Sequence, residues 1–387
     1  MSGAPLSVYL IAGEASGDLL GARLMAGLRA RLGDGVTFHG IGGEEMTAQG
    51  LRSLFPMGEL SVMGLAEILP HIPHLLARIR QTVADVEARR PDVLVTIDSP
   101  GFCFRVAKRL VGRGIPLVHY VAPTVWAWKP GRARKVAAFL DHLLVLLPFE
   151  PPYFQAEGLA TTFVGHPVVD GGADRGDGPA FRTRHGIPAD APLLCVLPGS
   201  RRGEVLRLLP PFGDTVRRLA ADVPGLHVVV PTVDWVADGV AAGVADWPVP
   251  VTLVRGVGER FDAFAAADAA LAASGTVALE LALARVPAVI AYLVKPATAF
   301  LLRRLVRVRF VNLVNILLDR EAVPECLQER CDPAIMAPLV RGLLTDPAVR
   351  AEQMAAADRA LDMLGRGGPS PGQRAADAVL EVLGRAP

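Results

Sequence analysis

The chain has 387 residues, enough for two or three domains at about 150 residues each. Its 40 Lys and Arg against 39 Asp and Glu leave a formal charge of +1, so no global positive field draws in nucleic acid. Hydrophobic residues make up 51% of it, with 39 Gly, 32 Pro and a mean hydropathy of +0.36, which excludes a disordered chain and demands a large core. A membrane span does not account for that surplus. The longest stretch free of Asp, Glu, Lys and Arg is residues 114–128, broken by Pro116 and Pro123, whereas a spanning helix needs about 20 apolar residues. The N-terminus lacks a basic n-region, and the scattered Cys103, Cys195, Cys326 and Cys331 contain no CxxC pair. Reduced, buried thiols in a cytoplasmic protein are the expectation.

In chain order, an apolar strand over 6–12 ends at Gly13, and a helix over 18–32 carries Leu19, Leu20, Leu24 and Leu28 near helical spacing. Further strands are predicted over 36–41, 93–97, 117–121, 143–147 and 161–164, each separated from the next by a helix-sized segment. That alternation predicts a parallel sheet covered by helices on both faces. Residues 170–192, rich in Gly, Pro, Asp and Arg, break the rhythm and read as a linker. Strands then resume over 193–197, 227–230, 251–254, 269–272 and 288–292. Three helical stretches follow from about 333, broken at Asp346-Pro347 and over 365–371. The fold class predicted is α/β, with two Rossmann-like doubly wound domains facing a cleft and C-terminal helices. Boundaries are expected at 1–172, 173–345 and 346–387, the last segment crossing back to the first domain or exchanged in a homodimer.

Ligands of doubly wound sheets sit at the carboxyl ends of strands, so the motifs there are the candidates. AGEASGD (12–18) joins the first strand to the first helix with small residues that let a ligand approach backbone N–H groups. The alternative is a tight turn with Ser16 or Asp18 as N-cap; Glu14 is harder to assign to packing. It is not a GxGxxG dinucleotide fingerprint. In TIDSPGF (96–102), Asp98 ends an apolar strand, placed either as a general base or as a helix N-cap. HYVAPTVWAWKPGR (119–132) holds Trp126 and Trp128, able to stack on a sugar, to line an acyl chain or to cap the core. His166 in GHPVVD (165–170) either faces the cleft or satisfies a turn.

In LPGSRRGEV (197–205), Gly199 and Ser200 open a helix whose first turn carries Arg201 and Arg202. Cations there oppose the helix dipole, and a bound diphosphate would resolve the conflict. SGTVALELAL (274–283) opens another helix with Ser274, Gly275 and Thr276. Glu280 lies within its apolar run, compensated either by ribose hydroxyls or by a partner such as Arg285. Asn312 and Asn315 sit among aliphatics, where each amide needs a partner.

Taken together and in this order, AGEASGDLLGA (12–22), GIGG (40–43), LSVMGLAEIL (60–69), IDSPGFCFRVAK (97–108), YVAPTVWAWKPGR (120–132), FVGHPV (163–168), LPGSRRGEV, SGTVALELAL and NLVNILL (312–318) resemble the lipid-A-disaccharide synthase family. The resemblance runs from residue 8 to about 325. It implies a metal-independent, inverting glycosyltransferase of the GT-B fold, without a cofactor. Such an enzyme joins UDP-2,3-diacylglucosamine to 2,3-diacylglucosamine 1-phosphate (lipid X), releasing UDP and forming a β-1,6 disaccharide. By the same resemblance Asp98 is the base for the acceptor 6-hydroxyl, with Glu14 as the second catalytic carboxylate and Ser16 beside it on the acceptor side. Arg201 falls near the diphosphate, Glu280 near the uridine ribose, and Asn315, a functionally sensitive amide, within the donor UDP site. Gly199, Ser200, Arg202, Ser274, Gly275 and Thr276 join the donor site on geometric grounds, and Trp126 joins the acceptor site.

Both substrates carry acyl chains, so the enzyme is expected to work peripherally on the cytoplasmic face of the inner membrane. Residues 60–79, with Met63, Ile68 and Leu69, have the apolar character of an interfacial segment. Residues 299–310 interleave four arginines with aliphatics and are the second candidate. Ordinary core helices are the alternative for both. Two other functions remain open on this scaffold: a UDP-sugar epimerase, and a nucleotide-sugar-binding protein without turnover.

Overall fold

The computed structural model describes residues 5–60, 65–128, 131–295, 299 and 308–385, with the backbone alone for 65–71 and Val257. The chain divides into two compact units, one of residues 1–167 and 367–387, the other of residues 168–366. In the first unit the order is β1 (Leu6–Ala12), α1 (Ala15–Leu32), β2 (Val36–Ile41), α2 (Glu44–Ala48), α3 (Leu65–Arg89), β3 (Val93–Ile97) and α4 (Pro100–Leu110). It continues with β4 (Leu117–Tyr120), α5 (Arg132–Ala137), β5 (His142–Val145), α6 (Pro151–Gln155) and β6 (Ala160–Phe163). The second unit has α7 (Gly178–Arg184), β7 (Leu193–Leu197), α8 (Arg202–Asp222), β8 (His227–Thr232), α9 (Asp234–Val244), β9 (Val251–Arg255) and α10 (Val257–Ala266). Then come β10 (Ala269–Ala273), α11 (Val277–Leu283), β11 (Ala288–Tyr292), α12 (Leu313–Leu318), β12 (Glu325–Leu327), α13 (Pro333–Thr345) and α14 (Pro347–Met363). A last helix, α15 (Pro371–Val382), belongs to the first unit.

Each unit holds a six-stranded parallel sheet, ordered β2-β1-β3-β4-β5-β6 in the first and β12-β11-β10-β7-β8-β9 in the second. The central strands β3, β7 and β10 are buried at every residue, as continuous apolar runs must be when helices cover both faces. One core of the first sheet packs Leu10, Val95 and Tyr120 against Leu24 and Leu28 of α1 and Ala376 of α15. The opposite face packs Tyr9, Leu94 and Leu143 against Val106 and Leu110 of α4. Asp377 of α15 receives two hydrogen bonds from Arg31 of α1, at 2.7 and 2.8 Å. In both sheets the order reverses beside the first strand of the unit: between β1 and β3, and between β7 and β10. Those two reversal points are where a doubly wound sheet opens a crevice for ligand.

The segment read from sequence as one helical tail, 346–387, is split: α14 packs on α11 and α12, whereas α15 packs on α1. The unit border falls at 167/168 rather than at 172/173. Strand β12 has no counterpart in the sequence reading, because three residues bearing a buried Glu325 make no apolar run. Met63 and residues 300–307, including Arg303, Arg304 and Arg307, lie outside the described residues. Ile68 and Leu69 lie on α3, their side chains outside the description. Among the described helices none is long and apolar enough to cross a membrane.

Candidate active site

At the reversal point of the first sheet, the turns after β1 and β3 touch. A Cβ on Gly13 would lie 2.5 Å from the Ser99 hydroxyl oxygen, so only glycine permits the approach. Glu14 occupies the N-cap position of α1 in extended conformation, but its side chain makes no capping bond. Half-buried, its carboxylate has no hydrogen-bond or ion-pair partner among the described residues. Ser16 is exposed in the first turn. Asp18 does not cap α1 at all: its buried carboxylate accepts from the N–H groups of Gly43 (2.7 Å), Glu45 (2.9 Å) and Met46 (3.1 Å), anchoring α2.

Asp98 is half-buried, with φ +48°, and Ser99 follows at φ +44°. The Asp98 N–H donates to the Tyr120 carbonyl at 2.9 Å, while Ser99, not Asp98, holds the N-cap position of α4 without a side-chain bond. The capping alternative for Asp98 is therefore removed. Its carboxylate, like that of Glu14, is unpartnered among the described residues. On the neighbouring strand end Val121 has φ +82°, a costly conformation for a β-branched residue. Strained non-glycine backbone on two adjacent strand ends marks functional loops, because the fold must overdetermine conformations worth roughly 1–3 kcal/mol each.

Trp126, in the loop after β4, is half-buried and packs edge-on against Phe149, ring centroids 5.2 Å apart. Its indole N–H donates to Glu150 Oε1 at 3.2 Å, and the Leu147 N–H donates to Oε2 at 3.0 Å. Glu150 is only 4% exposed, and burial raises its carboxyl to about 7. Sequence reasoning missed this residue; the only local signal was an acid directly following the apolar run 143–149. His119 is a core residue, hydrogen-bonded to Thr96 Oγ1 at 2.8 Å and lowered to about 3 by burial. Burial also lowers His166, to about 4.

In the second unit, Gly199 takes φ +108° after β7, and Arg201 is the N-cap residue of α8. The conflict between Arg201 and the helix dipole is settled within the turn. Glu204 accepts from Arg201 Nη1 at 3.1 Å and sits where a carboxylate suits the dipole. Since the Arg201 side chain is 72% exposed, that pair is weak and open to exchange for another anion. Arg202 is exposed and unpaired among the described residues. The Ser200 carbonyl accepts from the Trp235 indole at 2.8 Å. A groove of about 870 Å³ runs between α8 and α9 from Arg202 and Trp235, away from the strand ends.

Ser274 is half-buried after β10 and donates its N–H to Ala291, and the exposed Gly275 and Thr276 lead into α11. Glu280 pairs with Arg260, Nη2 to Oε1 at 3.1 Å; the anticipated partner Arg285 instead binds Asp358 at 2.9 and 3.0 Å. Burial raises the Glu280 carboxyl against the pull of Arg260, and Oε2 has no described partner. Arg260, unnoticed in the sequence, stacks on Phe261 with its Nε buried and unbonded. Asn315 is saturated. It donates to Val323 O (2.7 Å) and Glu325 Oε1 (2.8 Å) and accepts from Ala322 and Val323 N–H (both 2.8 Å). All four bonding positions of the amide are used, which leaves none for a nucleotide. The expectation of Asn315 in direct donor contact is thereby corrected to a role in loop architecture.

A family model described as lipid-A-disaccharide synthetase matches residues 8–366. The chain is 60% identical to a lipid-A-disaccharide synthase of Rhodospirillum centenum over 381 residues, covering 98% of this chain and 95% of that one. A synthase of the same name from Paramagnetospirillum magneticum is 60% identical over 380 residues, covering 97% of each. Among solved structures, MurG of Acinetobacter baumannii aligns with a TM-score of 0.58 at 17% identity, over 98% of this chain and 100% of that one. A UDP co-structure of MnaA from S. aureus aligns at 0.66 and 12%, over 99% of both. These structural likenesses show a shared fold, of the GT-B type found in glycosyltransferases and epimerases.

Proposed function

The chain belongs to the lipid-A-disaccharide synthase family and is a glycosyltransferase of lipid A biosynthesis, and on that premise we propose that it transfers diacylglucosamine from UDP-2,3-diacylglucosamine to the 6-hydroxyl of lipid X. The Asp98 carboxylate takes the hydroxyl proton as the oxygen attacks the anomeric carbon. The bond from that carbon to the UDP oxygen breaks, and the configuration inverts to β. Glu14 and Ser16 hold the acceptor, and Trp126 lies against its sugar or acyl chains. On the second unit, Arg201, Arg202 and the backbone around Gly199 and Ser200 receive the diphosphate, so positive charge faces the leaving group where its negative charge grows. Ser274, Gly275 and Thr276 line the nucleotide, and the open Oε2 of Glu280 accepts from a ribose hydroxyl.

The observation that carries this reading is the half-buried Asp98 carboxylate, unpartnered among the described residues, on strained backbone at the reversal point of the first sheet. Incubation with UDP-diacylglucosamine and lipid X in detergent, followed by mass spectrometry, tests it. A disaccharide 1-phosphate with stoichiometric UDP supports the transfer, and UDP release that needs no second sugar lipid would instead indicate epimerase-type chemistry. Membrane contact is proposed through α3, whose Ile72 and Leu76, one turn apart, are 39% and 41% exposed, on the cytoplasmic face of the inner membrane. Charged substitutions at both positions should release the protein from anionic vesicles. A homodimer that exchanges residues 367–387 would keep the α1–α15 contact between two copies, and the mass of the detergent complex distinguishes it from a monomer.

A further inference from the structure

We infer that Glu150 is a positioning residue for acceptor binding: its buried carboxylate orients the Trp126 indole for contact with the acceptor. This rests on the reading of Trp126 as an acceptor contact. Both carboxylate oxygens accept hydrogen bonds, one from the Trp126 indole and one from the Leu147 backbone N–H. The second bond ties the carboxylate to the turn after β5, so the indole is held by a rigid strand end and not only by its own loop. Phe149 closes the arrangement, its ring meeting the indole at 89°. Hydrogen bond and edge contact together leave the indole one orientation, with part of its surface uncovered.

A buried carboxylate without a cation among the described residues is an expensive way to fill space, and a leucine would pack there at lower cost. What it supplies instead, in its ionised form, is a charge-assisted acceptor for the indole N–H. No pattern in the sequence joins the two residues, which stand 24 positions apart. The arrangement places a second layer of control behind the acceptor loop, outside the reacting atoms.

The test measures steady-state kinetics of the full-length protein with lipid X varied at saturating UDP-diacylglucosamine. E150Q is expected to raise the acceptor KM roughly tenfold, the size of one lost charge-assisted bond, with kcat at saturation within about twofold. W126F, which keeps an aromatic ring and deletes the donor, should raise KM at least as much. The double variant E150Q/W126F should be no worse than W126F alone, since both changes act on the same bond. If E150Q fails to fold, W126F carries the test alone. An E150Q KM at the wild-type value, or one that multiplies with that of W126F, overturns the inference. W126A separates the two layers. An unchanged KM in W126A overturns the reading of Trp126 itself, whereas a raised KM in W126A with wild-type values in W126F and E150Q overturns only the role of Glu150.

Discussion

The two sheets share one architecture and differ in what their reversal points carry. In the first unit the turns after β1 and β3 present carboxylates, Glu14 and Asp98, that are unpaired among the described residues, and the strained Asp98, Ser99 and Val121 stand at the ends of β3 and β4. In the second unit the turn after β7 presents Arg201 and Arg202 on glycine-containing backbone. The strained non-glycine residues there, Arg285, Asp319 and Gln328, lie away from the ends of β7 and β10. Strain accompanies the loop assigned to proton transfer, where an atom must be held to within fractions of an ångström. The loop assigned to the diphosphate needs only cations and open N–H groups.

That contrast can be broken at several points. The largest effect outside the base itself is expected from R201A/R202A, which should lower kcat by about 10²–10³ and weaken UDP binding, measured by turnover and calorimetry. N315A removes four hydrogen bonds and leaves Val323 O and the N–H groups of Ala322 and Val323 without that partner. It should destabilise the second unit by about 2–4 kcal/mol in denaturant unfolding, while leaving UDP affinity per folded molecule unchanged. A loss of UDP affinity at wild-type stability would return Asn315 to the donor site.

The pH response should come from the first unit. His119 and His166, lowered by burial to about 3 and about 4, favour the fold while neutral. Their contribution is complete above about 6.5 and is lost as pH falls through the folded-state values. Between pH 6.5 and 4 the loss should reach about 3 kcal/mol for each histidine. Glu150 has the opposite sign: raised to about 7, it favours the fold below about 4.5, and that contribution is lost as pH rises towards 7. Hydrogen exchange of the β4 amides should therefore accelerate on acidification, and H119Q should flatten that response.

The smallest effects concern the touching turns. S99G removes a left-handed serine that makes no capping bond, and should stabilise the first unit by about 0.5–1 kcal/mol at a cost in turnover. G13A drives a Cβ towards the Ser99 hydroxyl and should cost about 1–3 kcal/mol, much of it restored in G13A/S99G. Additive behaviour of that pair would mean the turns are not coupled.

Every strand but β12 was legible, because most are apolar runs between Gly, Pro or charged residues, and parallel sheets demand such runs. The loops at the strand ends were legible because small residues and isolated charges stand out after those runs. Pairings across the chain were not legible. Asp18 meets the turn after β2 across 25 residues, Trp126 meets Glu150 across 24, and Glu280 meets Arg260 across 20. No local period encodes such contacts. Arg201 is the opposite case: its partner Glu204 stands three residues away, an acid in the same turn that offsets the cations there. Asn315 shows that a polar residue among aliphatics can be consumed entirely by the backbone and one carboxylate around it.

The division of labour between the sheets is tested most directly by measuring turnover and UDP affinity together in D98N. The carboxamide keeps the size of Asp98 and removes the base. Turnover should fall by about 10²–10⁴ while the UDP dissociation constant stays within about twofold of wild type. Turnover near the wild-type rate, or a UDP affinity that collapses along with it, would contradict the assignment of proton transfer to the first sheet and nucleotide binding to the second.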